Sequence, residues 1–223
     1  MIFVRSLFVF LSIASAGLVH GQQKKTRLPD VSATFKGNLN LPVPLGNPLF
    51  EAVTESVGQL DGVIQFPLKK GLGIGIGGRM TWFGINERAL APTVTSGEIR
   101  RSAFYGKVQY EQYTGPRTFY ELNARFGVSN YTFDCPTCGS SQQKGLFHWG
   151  IGTGYYINAT DNLAFGLTLG YEHDGGVFGA SNLGLESFPG RPELQEKRNY
   201  QYLVIGMGFS TRFRKAAREG PGW

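Results

Sequence analysis

Apolar side chains recur at every second position in eight separate segments of this chain, and a helix cannot bury a pattern of that period. In the clearest segment Leu163, Phe165, Leu167, Leu169 and Tyr171 alternate with Ala164, Gly166, Thr168 and Gly170. The last segment sets Leu203, Ile205, Met207, Phe209 and Phe213 against Tyr202, Gly206, Gly208, Ser210 and Arg212. The same alternation runs through Leu72–Trp82, Phe104–Tyr110, Tyr120–Val128 and Phe147–Tyr155, and more weakly through residues 31–41 and 57–68. Outside the first twenty residues no uninterrupted apolar stretch reaches the roughly 18 residues of a membrane helix, so a helical membrane protein is excluded. Glycine, at 32 of 223 residues, is twice its usual frequency but follows no G-X-Y period, which excludes a collagen-like chain.

The connections alternate in length. Short ones sit at Lys69-Lys70, Thr114–Arg117 and Asn158–Asp161; long ones cover about 42–56, 87–98, 134–145 and 174–198. All the long loops therefore fall at one end. An all-β, closed, eight-stranded antiparallel up-and-down barrel with short periplasmic turns and long extracellular loops meets this requirement, and closure removes the unpaired edges that a bilayer does not tolerate.

A soluble lipocalin-like barrel has the same alternation with the opposite orientation, apolar inside and polar outside. Two features favour the membrane form. The non-apolar face is rich in glycine (Gly73/Gly75/Gly77, Gly150/Gly152/Gly154, Gly206/Gly208), which suits a crowded lumen where a missing side chain makes room for a bulky neighbour. The aromatics of the apolar face gather at strand ends. Phe66, Tyr110, Tyr120, Tyr155, Phe165 and Phe213 are expected to ring the periplasmic interface, and Trp82, Phe104, Trp149 and Tyr171 the outer one.

Over nearly all of residues 31–213 the chain resembles the small eight-stranded outer-membrane barrels of Gram-negative bacteria, of the OmpX and OmpA-membrane-domain kind. The resemblance is one of architecture. Its most specific local element is the last strand, where Gly208, Thr211 and Phe213 look like the terminal signal read by the barrel assembly machinery. It implies a cell outer membrane location, contact with outer-membrane lipid and lipopolysaccharide, and no cofactor.

By parity the lumen receives Lys36, Asp61, Arg79, Arg101, Lys107, Glu111, Glu121, Arg125, Glu172 and Arg212, with Asn38, Gln65, Gln109 and Asn123 among them. Unpaired charge in so narrow a space is costly, so an interlocking ion-pair network is expected. At the Gly115-Pro116 hairpin, pairing Tyr113 with Arg117 sets Lys107 diagonal to Glu121. The register that pairs Tyr113 with Phe119 opposes Glu111 to Glu121 and Lys107 to Arg125, so the former is predicted. The functional reading is a structural or partner-binding protein with a plugged lumen. The alternative is a narrow channel for small polar or anionic solutes, suggested by six positive against four negative lumen residues.

Residues 1–21, with Arg5 before the apolar Leu7–Ile13, read as an export signal, 22–30 as a periplasmic segment, 31–213 as the barrel and 214–223 as a periplasmic tail. The basic residues Lys24–Arg27 and Arg212, Arg214, Lys215 and Arg218 suit an anionic surface better than a nucleic-acid groove. In an oxidising compartment Cys135 and Cys138 are expected to form a local disulfide, since a zinc site needs two more ligands. His148 reads as a satisfied interior histidine, and His173-Asp174 as the edge of a loop without a nearby serine, so no enzyme is expected. In the first long loop, Asn47-Pro48 has the chemistry of a helix start, and a helix over 48–55, with Leu49, Val53 and Val57 on one face, is expected on the barrel rim. Loops this long favour binding of another envelope protein.

Overall fold

A computed structural model describes residues 33–139, 141–160, 162–188 and 198–213. The segments read as leader (1–21), periplasmic segment (22–30) and tail (214–223) lie outside these residues. Eight antiparallel strands follow one another around a closed barrel: β1 (Thr34–Pro44), β2 (Thr54–Pro67), β3 (Leu72–Ile85), β4 (Glu98–Tyr113), β5 (Thr118–Asp134), β6 (Gln142–Asn158), β7 (Leu163–Phe178) and β8 (Arg198–Arg212). β8 closes on β1 through a continuous ladder from Thr34↔Arg212 to Pro44↔Tyr202. Two short helices, α1 (Pro48–Val53) and α2 (Glu87–Leu90), and a 3-10 turn (Ala180–Leu183) lie in the long connections.

The register fixes the inclination of the strands. From Leu39 one row runs through Leu60 and Met80 to Ser102 on β4. In the other direction it runs through Met207, Leu167, Tyr155 and Tyr120 to Gln112 on the same strand. The two ends miss by the ten residues from Ser102 to Gln112, and for eight strands this stagger sets a tilt of about 40°. An outward apolar stripe such as Leu72–Trp82 then rises about 25 Å along the axis, the height of an outer-membrane apolar band.

The apolar face points outward. Phe104 is 62% exposed and Leu167 68%, while Lys36, Arg79, Arg101 and Glu172 on the other face are buried. This is the reverse of a lipocalin-like barrel, and it makes the fold a transmembrane β-barrel. All ten aromatics assigned to girdles point outward. By register Phe66, Tyr110, Tyr120, Tyr155, Phe165 and Phe213 lie toward the short-turn end, and Trp82, Phe104, Trp149 and Tyr171 toward the long-loop end. The inner glycines make room for inward aromatics. A Cβ on Gly154 or Gly166 would come within 2.6 Å of the Tyr156 ring.

Three local expectations are corrected. The β4–β5 hairpin pairs Tyr113 with Phe119, so Glu111 faces Glu121 and Lys107 faces Arg125. Aromatic packing holds this register: Phe119 stacks on Tyr156 at 5.0 Å and contacts Tyr113 at 5.4 Å. Of the charges it opposes, Glu111 and Glu121 are bridged by Lys36 from β1, Arg125 faces Asp61 and Glu172 from β2 and β7, and Lys107 pairs with Glu121 within the hairpin. The helix of the first long loop ends at Val53, because Thr54 already pairs with Ile85; Val57 sits at a bulge in β2 and faces outward, 68% exposed. β7 continues past Tyr171 to Phe178 with an irregularity between Asp174 and Val177, so His173 and Asp174 belong to a strand. Parity sends them to opposite faces.

Candidate functional site

The lumen is filled in two tiers. The lower tier is ionic and begins near the short-turn end, where Lys36 Nζ bridges Glu111 and Glu121 and lies over the rings of Phe119 and Tyr156 at 5.4 and 4.9 Å. Lys107 Nζ adds a second ammonium to Glu121 at 2.6 Å. Asn123 Nδ2 donates to Glu121 Oε1 (2.8 Å) and Gln109 Nε2 to Glu111 Oε1 (3.2 Å).

Half-way up, Asp61 accepts from Arg79 Nε (2.9 Å) and from the Tyr105 hydroxyl (2.7 Å). Arg125 Nη1 lies 3.5 Å from Asp61 and 3.6 Å from Glu172, which Arg79 also reaches. Above this, Arg101 donates Nη1 to Glu172 (2.9 Å), Nε to Asp174 Oδ2 (2.7 Å) and Nη2 to Asp174 Oδ1 (3.1 Å). His148 Nδ1 lies 2.7 Å from Asp174 Oδ1, and the Tyr131 hydroxyl donates to Asp174.

Nine of the ten lumen charges read from the sequence enter this network. Arg212 does not; it lies by the lower mouth with its guanidinium over Tyr113 at 5.6 Å. Asp174, read as loop, takes the tenth place, so the paired groups balance at five of each sign. The signal for Asp174 was its parity with Glu172; Gly175-Gly176 masks it by imitating a turn. A residual lumen cavity of about 20 Å³ beside Lys107, Glu121 and Arg125 has room for roughly one water.

The upper tier is apolar. Asn47 caps α1 by accepting from the Phe50 amide at 3.1 Å, and Pro48 supplies the first helical position. The helix thereby drives Phe50 down into the barrel mouth, where its ring meets Phe83, Phe178 and Tyr200 edge-on at 5.1 to 5.3 Å. Leu90 and Val94 from the second long loop, Phe133 from β5 and Leu183 from the 3-10 turn complete a buried core with Phe50. The helix sits between the upper ends of β1 and β2, and its buried face is a stopper for the mouth. Tyr202 joins the tiers: it stacks on Phe83 at 5.4 Å and its hydroxyl is 2.9 Å from that of Tyr131.

Cys135 and Cys138 are joined to each other in the β5–β6 loop. Cys138 is buried in the upper core, and Thr137 Oγ1 donates to the Leu183 carbonyl at 2.8 Å, so this loop is docked onto the β7–β8 connection.

A histidine paired with a carboxylate is the base half of a nucleophile–base arrangement. Here His148 Nε2 and the nearby Ser129 Oγ are both buried without a hydrogen-bond partner, so they are not joined to each other. His173 stacks on Trp149 at 5.5 Å on the outer wall. Among the described residues no cluster of His, Cys, Asp or Glu has the arrangement of a metal site.

No family model and no curated protein matches this chain. Among solved structures, Neisserial surface protein A is similar in fold, with a TM-score of 0.51 and 10% identity over 81% of this chain and 97% of the other. OprG, an outer membrane protein of Pseudomonas aeruginosa, aligns at a TM-score of 0.48 and 12% identity over 84% of this chain and 98% of its own. Ail, the attachment invasion locus protein of Yersinia pestis, aligns at 0.46 and 8% identity over 82% of this chain and 99% of its own. The first of these supports the fold of a small outer-membrane β-barrel.

Proposed function

We propose that the protein is a non-conducting, non-enzymatic barrel of the cell outer membrane that acts through its outer surfaces, either the capped long-loop face or the lipid-facing wall. In this reading the leader at 1–21 is removed on export, the Gly208–Phe213 segment engages the barrel assembly machinery, and outer-membrane lipid and lipopolysaccharide surround the wall. The partner at the loop face is another envelope protein.

The observation that carries this reading is the double closure of the lumen. A solute entering from the long-loop side meets the Phe50 core, and beneath it an ion-paired lattice whose cavity beside Lys107, Glu121 and Arg125 has room for about one water. The ion-paired groups, five of each sign, also speak against an anion-selective lining along the paired stretch, with Arg212 the additional cation at the lower mouth.

Planar-bilayer recording on the purified, folded protein tests the proposal. Expected is a baseline without discrete events. Reproducible unitary openings overturn the plugged reading and favour the narrow channel.

A further inference from the structure

A shallow apolar trough of about 600 Å³ crosses the outer wall from Leu72 on β3 to Leu203 on β8. Its floor follows one row of directly opposed residues, Gln109↔Asn123↔Gly152↔Gly170. The outward rows above and below this floor form its banks. Ala124 and Thr153 are the small members of those banks, and they keep the trough open at its middle. Because the rows climb across inclined strands, the trough rises diagonally from the short-turn end to the level of Tyr171. Five strand spacings of about 4.8 Å give it a length of roughly 24 Å, that of an extended lipid chain.

Its lower end is basic. Leu72 follows directly on the β2–β3 turn, which carries exposed Lys69 and Lys70. Exposed Arg117 occupies the next short turn. At the same level the Tyr110 and Tyr120 hydroxyls both donate to Gln112 Oε1, which leaves the Gln112 amide nitrogen free to donate outward.

We infer that this trough is a binding site for one anionic glycerophospholipid of the periplasmic leaflet, with its phosphate at Lys69 and Lys70 and one acyl chain lying along the wall past Ala124 and Thr153. Apolar contact alone does not select a lipid inside a bilayer, because every surrounding chain is equally apolar. Selection comes from the two ammonium groups placed where the trough meets the interface, together with the missing bulk at Ala124 and Thr153. The inference rests on the membrane reading above, which places the short turns at the periplasmic leaflet.

The test uses the full chain in phosphatidylcholine nanodiscs doped with phosphatidylglycerol, released into mild detergent and weighed by native mass spectrometry. Expected is one retained phosphatidylglycerol, saturating at one. Lys69→Gln and Lys70→Gln should each lower retention about fivefold, the effect of one basic side chain at an anionic lipid surface. Ala124→Phe should abolish it by filling the trough, with folding checked by the heat-modifiable gel shift; Thr153→Phe serves if Ala124→Phe does not fold. No retained lipid, many lipids indifferent to these variants, equal retention of phosphatidylcholine, or a second protein copy in place of lipid overturns the inference. Barrels that conduct ions yet still hold one phosphatidylglycerol overturn only the plugged reading.

Discussion

Glu111 and Glu121 stand directly opposite each other on the β4–β5 ladder and share a single ammonium, that of Lys36, which arrives from β1 on the other side of the lumen. A like-charge pair that cross-strand rules disfavour is thus neutralised from a third strand, and the register is free to follow the Tyr113, Phe119 and Tyr156 rings.

Lys36→Met therefore leaves two facing carboxylates with Lys107 as the one direct ion-pair partner among the described residues. Expected is a loss of about 3–5 kcal/mol in urea unfolding from lipid vesicles. Adding Glu121→Gln should recover part of that loss; no recovery would assign the loss to packing against Phe119 and Tyr156 instead.

Neighbours His173 and Asp174 should behave as if unrelated. Asp174→Asn weakens bonds to Arg101, His148 and Tyr131 and is expected to destabilise by about 2–5 kcal/mol, whereas His173→Ala on the outer wall should change stability by less than about 1 kcal/mol. Equal effects in the same unfolding assay would contradict the face assignment.

Phe50→Ala removes the centre of the upper core, at about 3–5 kcal/mol for the cap. The change should appear as faster protease cleavage in the long loops while the heat-modifiable barrel band persists, since the cap opens as a local unit. Cleavage at the wild-type rate would show that Phe50 does not hold the loops.

Cys135→Ser acts on the same cap more gently. Closing a loop of four residues is worth about 2 kcal/mol in the chain-entropy account. Loop cleavage should therefore accelerate less than in Phe50→Ala, and reduction of the wild-type protein should reproduce it. A variant as labile as Phe50→Ala would contradict that order.

Ile76→Arg places a charge on the outer wall near mid-band and should lower folding free energy in vesicles by about 2–4 kcal/mol, against about 0–1 for Ser102→Arg near the upper edge. Equal effects at both depths would remove the case for a lipid-facing wall.

Strand number, order and orientation are legible in the sequence because period-two alternation is a local property, and so is the short-long alternation of the connections. Asn47-Pro48 likewise announces α1 from two residues. The hairpin register is not legible from the hairpin, since its deciding contacts, to Lys36 and Tyr156, come from β1 and β6. The place of Asp174 is hidden by Gly175-Gly176, although counting by twos from Ala164 carries the lumen face through Glu172 and Asp174 to buried Phe178. The upper core draws its members from four connections and from the upper ends of five strands, and no single window of sequence holds more than a few of them.

The described residues of the long connections are packed around Phe50 before any ligand arrives, so a binder that contacts them meets a preformed relief and not a set of free tethers. Ordering entropy has already been spent during folding, which favours recognition by shape with little adjustment. Sequence drift at that surface is then confined to side chains that point away from the stopper, such as Glu51 and Glu55, while the buried ring itself has no freedom to vary.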